Sequence, residues 1–190
     1  MKLNFTKYQG LGNDFILVDN RHIDEPLISP AVAQKMCDRH FGIGADGVIF
    51  VLPKVGDTDY TMRIFNSDGS EPEMCGNGIR CLAQFLTELE GKEEIGKTYK
   101  INTLAGLISP TIMGDGQVKV DMGKPQLRAE KIPTTLPEVN EMVIHQPLSA
   151  NGVEYFVSCV SMGNPHCLIF VDNLDAVNLT DVGVYLENHP

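Results

Sequence analysis

The sequence predicts an α/β protein with more strand than helix, and three features carry that expectation. Short apolar runs at residues 15–18, 48–52 and 60–65 stand between clusters of Gly, Asn, Asp and Pro, the pattern of buried strands. One strong amphipathic segment begins near Gly76, where Ile79, Leu82, Ala83, Leu86 and Leu89 follow the i, i+3, i+4, i+7 rule and Gly91 is placed to stop the helix. A local pattern also recurs. Gly12-Asn13-Asp14-Phe15-Ile16-Leu17-Val18-Asp19-Asn20 resembles Gly163-Asn164-Pro165-His166-Cys167-Leu168-Ile169-Phe170-Val171-Asp172-Asn173, which points to an internal duplication. The interval from Asn13 to Cys75, counted on from Asn164, runs past Pro190. The chain therefore reads as one complete unit followed by the start of a second.

Element by element, the N-terminal ten residues alternate apolar and polar side chains and lack the apolar stretch of a secretory signal, so a cytoplasmic protein is expected. Residues 30–40 read as a helix with Ser29 as N-cap, Pro30 at the first position, and Val32, Met36 and His40 on one face. Gly42-Ile43-Gly44-Ala45-Asp46-Gly47 superficially resembles a dinucleotide fingerprint, but it precedes a strand instead of opening a helix, so that reading fails its context. Asn66-Ser67-Asp68-Gly69-Ser70 is a turn cluster. Residues 100–121 suggest a hairpin, Met122-Gly123-Lys124-Pro125 a boundary, and the stretch around Pro133 and Pro137 an extended loop; strand patterns resume at 154–161 and 167–171. The expected division is a first domain over 1–121 and a second over 122–190.

Composition narrows the function classes. Among 190 residues there are 15 basic and 25 acidic ones, a formal net charge of −10, which argues against a nucleic-acid footprint or a polybasic membrane site. No apolar run approaches the roughly 20 residues of a membrane span. The five cysteines, Cys37, Cys75, Cys81, Cys159 and Cys167, form neither a disulfide framework nor a zinc-spaced cluster, so no metal is expected.

Cys75 stands out. It precedes the strongest helix, where the positive end of the helix dipole and unpaired N–H groups favour a thiolate. Gly76 and Gly78 leave the backbone open to a ligand, and a helix start behind a small-residue loop suits a carboxylate. A thiolate beside an anion cradle fits acid–base work on the carbon next to a carboxylate. Glu71 and Glu73 act in the opposite sense, since nearby acids raise a thiol's pKa. The alternative is that Cys75, like most single cysteines, is a small packing residue. Cys81, Cys37, Cys159 and Cys167 sit in apolar stretches and read as core. Asn13, Asn66, Asn77 and Asn164 lie in Gly-flanked turns, which Asn favours for conformational reasons alone. Neutral amides also bind a zwitterion without fixing the charge of a neighbouring thiol. His166 follows Asn164-Pro165, and a satisfied loop histidine is an equal reading.

Four motifs taken together are specific: Gly10-Leu11-Gly12-Asn13-Asp14-Phe15, Phe65-Asn66-Ser67-Asp68-Gly69-Ser70, Met74-Cys75-Gly76-Asn77-Gly78-Ile79-Arg80-Cys81 and Met162-Gly163-Asn164-Pro165-His166. In order and spacing, over essentially the whole chain, they resemble the diaminopimelate epimerase family. The Cys-Gly-Asn-Gly form sets this group apart from proline racemases, which carry Cys-Gly-His-Gly, and from phenazine-pathway relatives, which lack the cysteine.

The resemblance implies two similar α/β domains, each a strand barrel around a central helix, the second incomplete here. It implies a cofactor-independent isomerase, without pyridoxal phosphate, that interconverts LL- and meso-diaminopimelate for lysine and cell-wall precursors and works as a homodimer when full length. Its catalytic residues would be Cys75 and His166, the latter tuning thiols. Asn13, Asn66, Gly76, Asn77 and Asn164 would bind substrate. The family's second catalytic cysteine belongs to a later motif that falls after Pro190, so the 190-residue chain is expected to be inactive alone. Two other readings stand beside this one. A catalytically dead module could keep the diaminopimelate pocket. A hydrolase or transferase could use Cys75 as nucleophile, but neither His40 nor His166 sits in a recognisable Cys–His signature.

Overall fold

The computed structural model describes residues 2–137 and 141–189. The chain divides into two compact units, Met1–Met122 and Gly123–Pro190.

The first unit is a seven-stranded sheet in simple sequence order with helices on its two faces. Strands β1 (Thr6–Gly10) and β2 (Asn13–Asp19) form a hairpin whose turn places Leu11 and Gly12 at φ 58° and 85°. Strand β3 (Gly47–Leu52) lies parallel to β2, and β4 (Tyr60–Asn66) returns antiparallel to β3. Parallel neighbours need a crossover. The first carries helix α1 (Pro30–Cys37), and the second, from β4 to β5 (Ile101–Thr103), carries α2 (Gly76–Glu90). Strands β5, β6 (Gly106–Gly114) and β7 (Gln117–Asp121) complete the sheet as an antiparallel meander. Residues 100–121 therefore form three strands where the sequence suggested one hairpin. The difference lies in Thr103, whose hydroxyl donates to Gly106 O at 2.8 Å and closes an extra tight turn.

Two-sided burial explains the continuous apolar runs. In β2 and β3, Phe15, Leu17, Ile49 and Val51 face α2, while Ile16, Val18, Val48 and Phe50 face α1. Helix α2 packs against β1, β2, β3, β6 and β7, so the sheet curls around it and both outer strands touch it. Ile79, Leu82, Ala83 and Leu86 are buried and Leu89 packs beside them, and Gly91 ends the helix at φ 67° with its N–H on Glu88 O.

Helix α1 corrects two expectations. It stops at Cys37 instead of His40, because the Asp38 carboxylate accepts the N–H groups of His40 (2.8 Å) and Phe41 (2.7 Å) and turns the chain out. Its buried face is Ala33 and Cys37, with Val32 43% exposed. Small residues four apart let the helix backbone approach the sheet, with Met36 packed beside the same cluster and Val32 turned to solvent.

The second unit is a three-stranded sheet in the order β10-β9-β8: β8 (Gln146–Ala150), β9 (Val153–Ser161) and β10 (Pro165–Ile169), with α3 (Leu179–Glu187) touching β8. Its core is small: Ile132, Val143 and Cys159 are buried together. Cys167 is exposed, contrary to the core reading, because β10 is an outer strand with little packed over it; its partner across the ladder, Cys159, is buried. Val171 and Val184 are also exposed. The two copies of the recurring pattern share a local structure. Each forms the second strand of an antiparallel hairpin entered through a glycine at positive φ, 85° at Gly12 and 104° at Gly163.

Leu82→Ala is expected to cost about 2–5 kcal/mol in urea unfolding, the range for a large side chain removed from a packed core. Val32→Ala is expected to stay within about 0.5 kcal/mol. Equal losses would contradict the assignment of the α1 and α2 buried faces.

Candidate functional site

Strand direction gathers the site. The paired starts of β2 and β3 (Phe15 opposite Gly47) and the end of β4 (Asn66 opposite Gly47) lie at one end of the sheet. Asn13, Asp46 and Asn66 therefore meet there, although they are far apart in sequence. The N-terminus of α2 reaches the same place. Strand β1 lies against it at Gly10, where a Cβ would stand in ordinary contact with Asn77 O at 3.4 Å and Cys81 Sγ at 3.5 Å.

Cys75 is the N-cap of α2. Its backbone is extended (φ −136°, ψ 117°), its Sγ accepts the Gly78 N–H at 3.4 Å, and its carbonyl accepts the Ile79 N–H at 2.8 Å. The side chain is half-buried, and the first turn of the helix contains no acidic residue. A thiol thus sits against the positive end of a fifteen-residue helix whose first N–H groups have no partner within the helix. The two glycines that follow differ. A Cβ on Gly78 would lie 2.9 Å from Ile49 Cδ1 and 3.3 Å from Cys75 Cβ, so a methyl group there must displace the end of the buried Ile49 side chain. A Cβ on Gly76 would meet only Met122 Cε at 3.8 Å, so Gly76 leaves the helix start open.

Neutral amides surround the thiol. Asn13 Oδ1 lies 3.9 Å from Cys75 Sγ and accepts from Asn77 Nδ2 at 3.3 Å. Arg80 donates to Asn77 Oδ1 and, at 3.1 Å, to Gly76 O, which fixes the Asn77 amide. Charges lie behind the amides. Asp46 Oδ2 accepts from Asn13 Nδ2 at 2.6 Å and from Asp14 N at 3.0 Å, and Arg39 bridges Asp46 (2.8 Å) and Asp14 (2.7 Å). The Arg39 guanidinium, joined by Lys7 at 2.8 Å, holds the Asp14 carboxyl well below the usual carboxylate range despite partial burial. Sequence reasoning missed Asp14, Arg39, Asp46 and Arg80. Asp46 stands in the Gly42–Gly47 loop, whereas Asp14 and Arg80 stand inside the Gly10–Phe15 and Met74–Cys81 motifs.

Not every expected residue joins this cluster in the same way. Asn66 spends its Nδ2 on Ser70 Oγ (3.0 Å) and its N–H on Ser70 O (2.8 Å), so it closes its own turn; the Ser67 N–H ties that turn to Asp46 O at 2.9 Å. Glu71 is bound by the Arg63 guanidinium, with one contact at 2.8 Å. Burial pushes the Cys37 and Cys81 thiols up to about 11, so both are neutral at pH 7. In the second unit, Asn164 and His166 are exposed and bonded to each other, Oδ1 to Nε2 at 3.2 Å, beside the Gly163 turn. Among the described residues no group of acids, histidines and cysteines has the arrangement of a metal site, and no helix is long and apolar enough to cross a membrane.

Comparison with known proteins adds three findings. Residues 5–128 match the family model described as diaminopimelate epimerase. Over all 190 residues the chain is 67% identical to a diaminopimelate epimerase of a Synechocystis species and 63% identical to one of Rippkaea orientalis, spanning 67% and 68% of their lengths. Among solved structures it resembles a probable proline racemase of Agrobacterium radiobacter (TM-score 0.64, 14% identity, 96% of this chain and 53% of that one). It also resembles a hydroxyproline epimerase of Agrobacterium vitis (TM-score 0.63, 14% identity, 91% and 53%). At that identity the structural likeness speaks to fold: an α/β architecture of the epimerase and racemase type, as the sequence led one to expect.

The glycine geometry yields a paired prediction. Gly78→Ala should destabilise the protein by about 1–3 kcal/mol, the range for overpacking, in chemical denaturation. Gly76→Ala should be tolerated or mildly stabilising, because the added methyl group finds room and helps the helix. The reverse order would contradict the packing at the α2 start.

Proposed function

The chain belongs to the diaminopimelate epimerase family, a family of isomerases, and from that premise we propose that Cys75 moves the α-proton of diaminopimelate on one face of the carbon, in converting the LL to the meso isomer. The observation that carries this reading is the placement of Cys75 Sγ at the N-cap of α2, facing neutral amides and an open glycine.

The chemistry follows from that placement. An α-proton beside a carboxylate is weakly acidic, and its removal sends negative charge onto the carboxylate oxygens. The helix start at Gly76 and Asn77 offers N–H donors and dipole where that charge develops, so stabilisation grows along the reaction coordinate. The thiol exchanges the proton directly, with no cofactor assigned a step. Asn13, Asn66 and Asn77 hold the zwitterion by neutral amide contacts. Inverting the carbon requires a second acid–base group on the opposite face. Cys37 and Cys81 are buried and neutral, and Cys81 shares the helix of Cys75. Cys159 is buried, and burial together with Cys159 raises the Cys167 thiol. Cys75 is thus the thiol best suited to the role. The 190-residue chain by itself is proposed to exchange the α-proton from one face and to form inverted product about 10²–10⁴-fold more slowly than an enzyme with both groups. The wider setting we assign is lysine and cell-wall precursor synthesis in the cytoplasm, in a homodimer.

The test is deuterium incorporation into LL-diaminopimelate in heavy water, with the isomers separated afterwards. Slow exchange at the α-carbon, abolished in Cys75→Ala, with little meso product, is the expected result. Binding without any exchange would favour a ligand-binding module instead. Exchange that survives Cys75→Ala would overturn the assignment of the base.

A further inference from the structure

We propose that Asp46 is a positioning residue: its carboxylate, anchored by Arg39, sets the Asn13 side-chain amide so that the oxygen, not the nitrogen, faces the Cys75 thiol. The mechanistic value of this rests on the reading of Cys75 as the proton-moving group, but the geometry stands apart from it.

An ionised carboxylate only accepts hydrogen bonds. Asp46 Oδ2 lies 2.6 Å from one terminal atom of the Asn13 amide, so that atom is the NH₂ group. The other terminal atom is then the carbonyl oxygen. It is the one 3.9 Å from Cys75 Sγ and 3.3 Å from Asn77 Nδ2. The same oxygen Oδ2 of Asp46 also accepts the Asp14 N–H at 3.0 Å, and Oδ1 accepts from Arg39 at 2.8 Å. Four donors and acceptors in a row therefore permit one orientation. Arg39, which is half-exposed, holds Asp46, Asp46 holds the Asn13 nitrogen, and the Asn13 oxygen is presented to the thiol.

The consequence concerns protonation. An amide oxygen beside sulfur accepts from the S–H form, whereas an amide N–H would donate to the thiolate and favour it. The Asp46 arrangement thus presents an acceptor, not a donor, to the sulfur at the start of α2. Charged groups elsewhere around Cys75 are Arg80 on its own helix, Glu73 on the preceding loop, and Asp14 and Lys7 in the network behind Asn13. The buried Cys81 thiol stands one helical turn and a half further on.

Asp46→Ala removes the acceptor that holds the Asn13 NH₂, so the Asn13 amide is released to turn its N–H toward Cys75. The measurement is the rate of alkylation of Cys75 by iodoacetamide against pH, with the labelled peptide quantified. The expected result is a lowered midpoint in Asp46→Ala. Asp14→Ala is the control. It removes one carboxylate from the same Arg39 network without touching the Asn13 amide, and should leave the midpoint in place. An unchanged midpoint in Asp46→Ala, or an equal shift in both variants, would overturn the proposal. Should Asp46→Ala fail to fold, the unaltered protein gives the answer by nuclear magnetic resonance. One Asn13 side-chain amide proton should exchange slowly with solvent, and rapid exchange of both would overturn it. Neither readout depends on turnover. A shifted midpoint with no α-proton exchange would leave the positioning role intact and reject the catalytic one.

Discussion

The enclosure of α2 by its sheet is the constraint on which the rest of the first unit depends. Buried residues of that helix include Gly78, Ile79, Cys81, Leu82, Ala83, Phe85, Leu86 and Thr87, which cover most of its circumference. A helix gripped on so many sides cannot slide along its axis without misplacing every one of them. Its N-terminus is therefore fixed against the strand ends by the core. The grip is tight at Gly78, where a Cβ would press on Ile49 Cδ1 and Cys75 Cβ. Cys75 inherits its position from that packing.

Around the fixed thiol the polar groups are layered by charge. Asn13 and Asn77 touch it or its neighbours, and the ion pairs of Lys7, Asp14, Arg39 and Asp46 stand one residue further back. The layering has a physical sense. A charge in contact with sulfur would lock it in one protonation state, whereas an amide held by a charge orients a dipole and leaves the thiol free to change state. Arg39 is half-exposed and its ion pairs are modest contributors to stability. What they contribute is orientation.

The legible parts of the sequence were those governed by local period and local chemistry. The α2 helix, its Gly91 stop, the buried strands and the Cys75 cap position all follow from residues within one or two turns of each other. Helix α1 lies where its pattern places it, but its buried face centres on Ala33 and Cys37 with Met36 beside them and Val32 outside, because periodicity counts large apolar residues first. Cys167 was misread for a related reason: apolar neighbours mark a strand, but not whether that strand lies in the middle of a sheet or at its margin. Asn66 shows both of its readings at once, a turn residue by its bond to Ser70 and a neighbour of the site by its place in the ladder. The Asp46–Asn13 contact was out of reach. It joins residues 33 positions apart and depends on the parallel register of β2 and β3, which no local pattern encodes.

The central claim is that Cys75 meets the α-carbon of the substrate. It is tested most directly with a diaminopimelate analogue that carries an electrophile at that carbon, followed by mass-spectrometric mapping of the modified peptide. The account predicts one adduct per chain, on Cys75, formed more slowly when excess diaminopimelate is present. Adducts spread over Cys167 and other thiols, or modification of Cys75 that diaminopimelate does not slow, would contradict it.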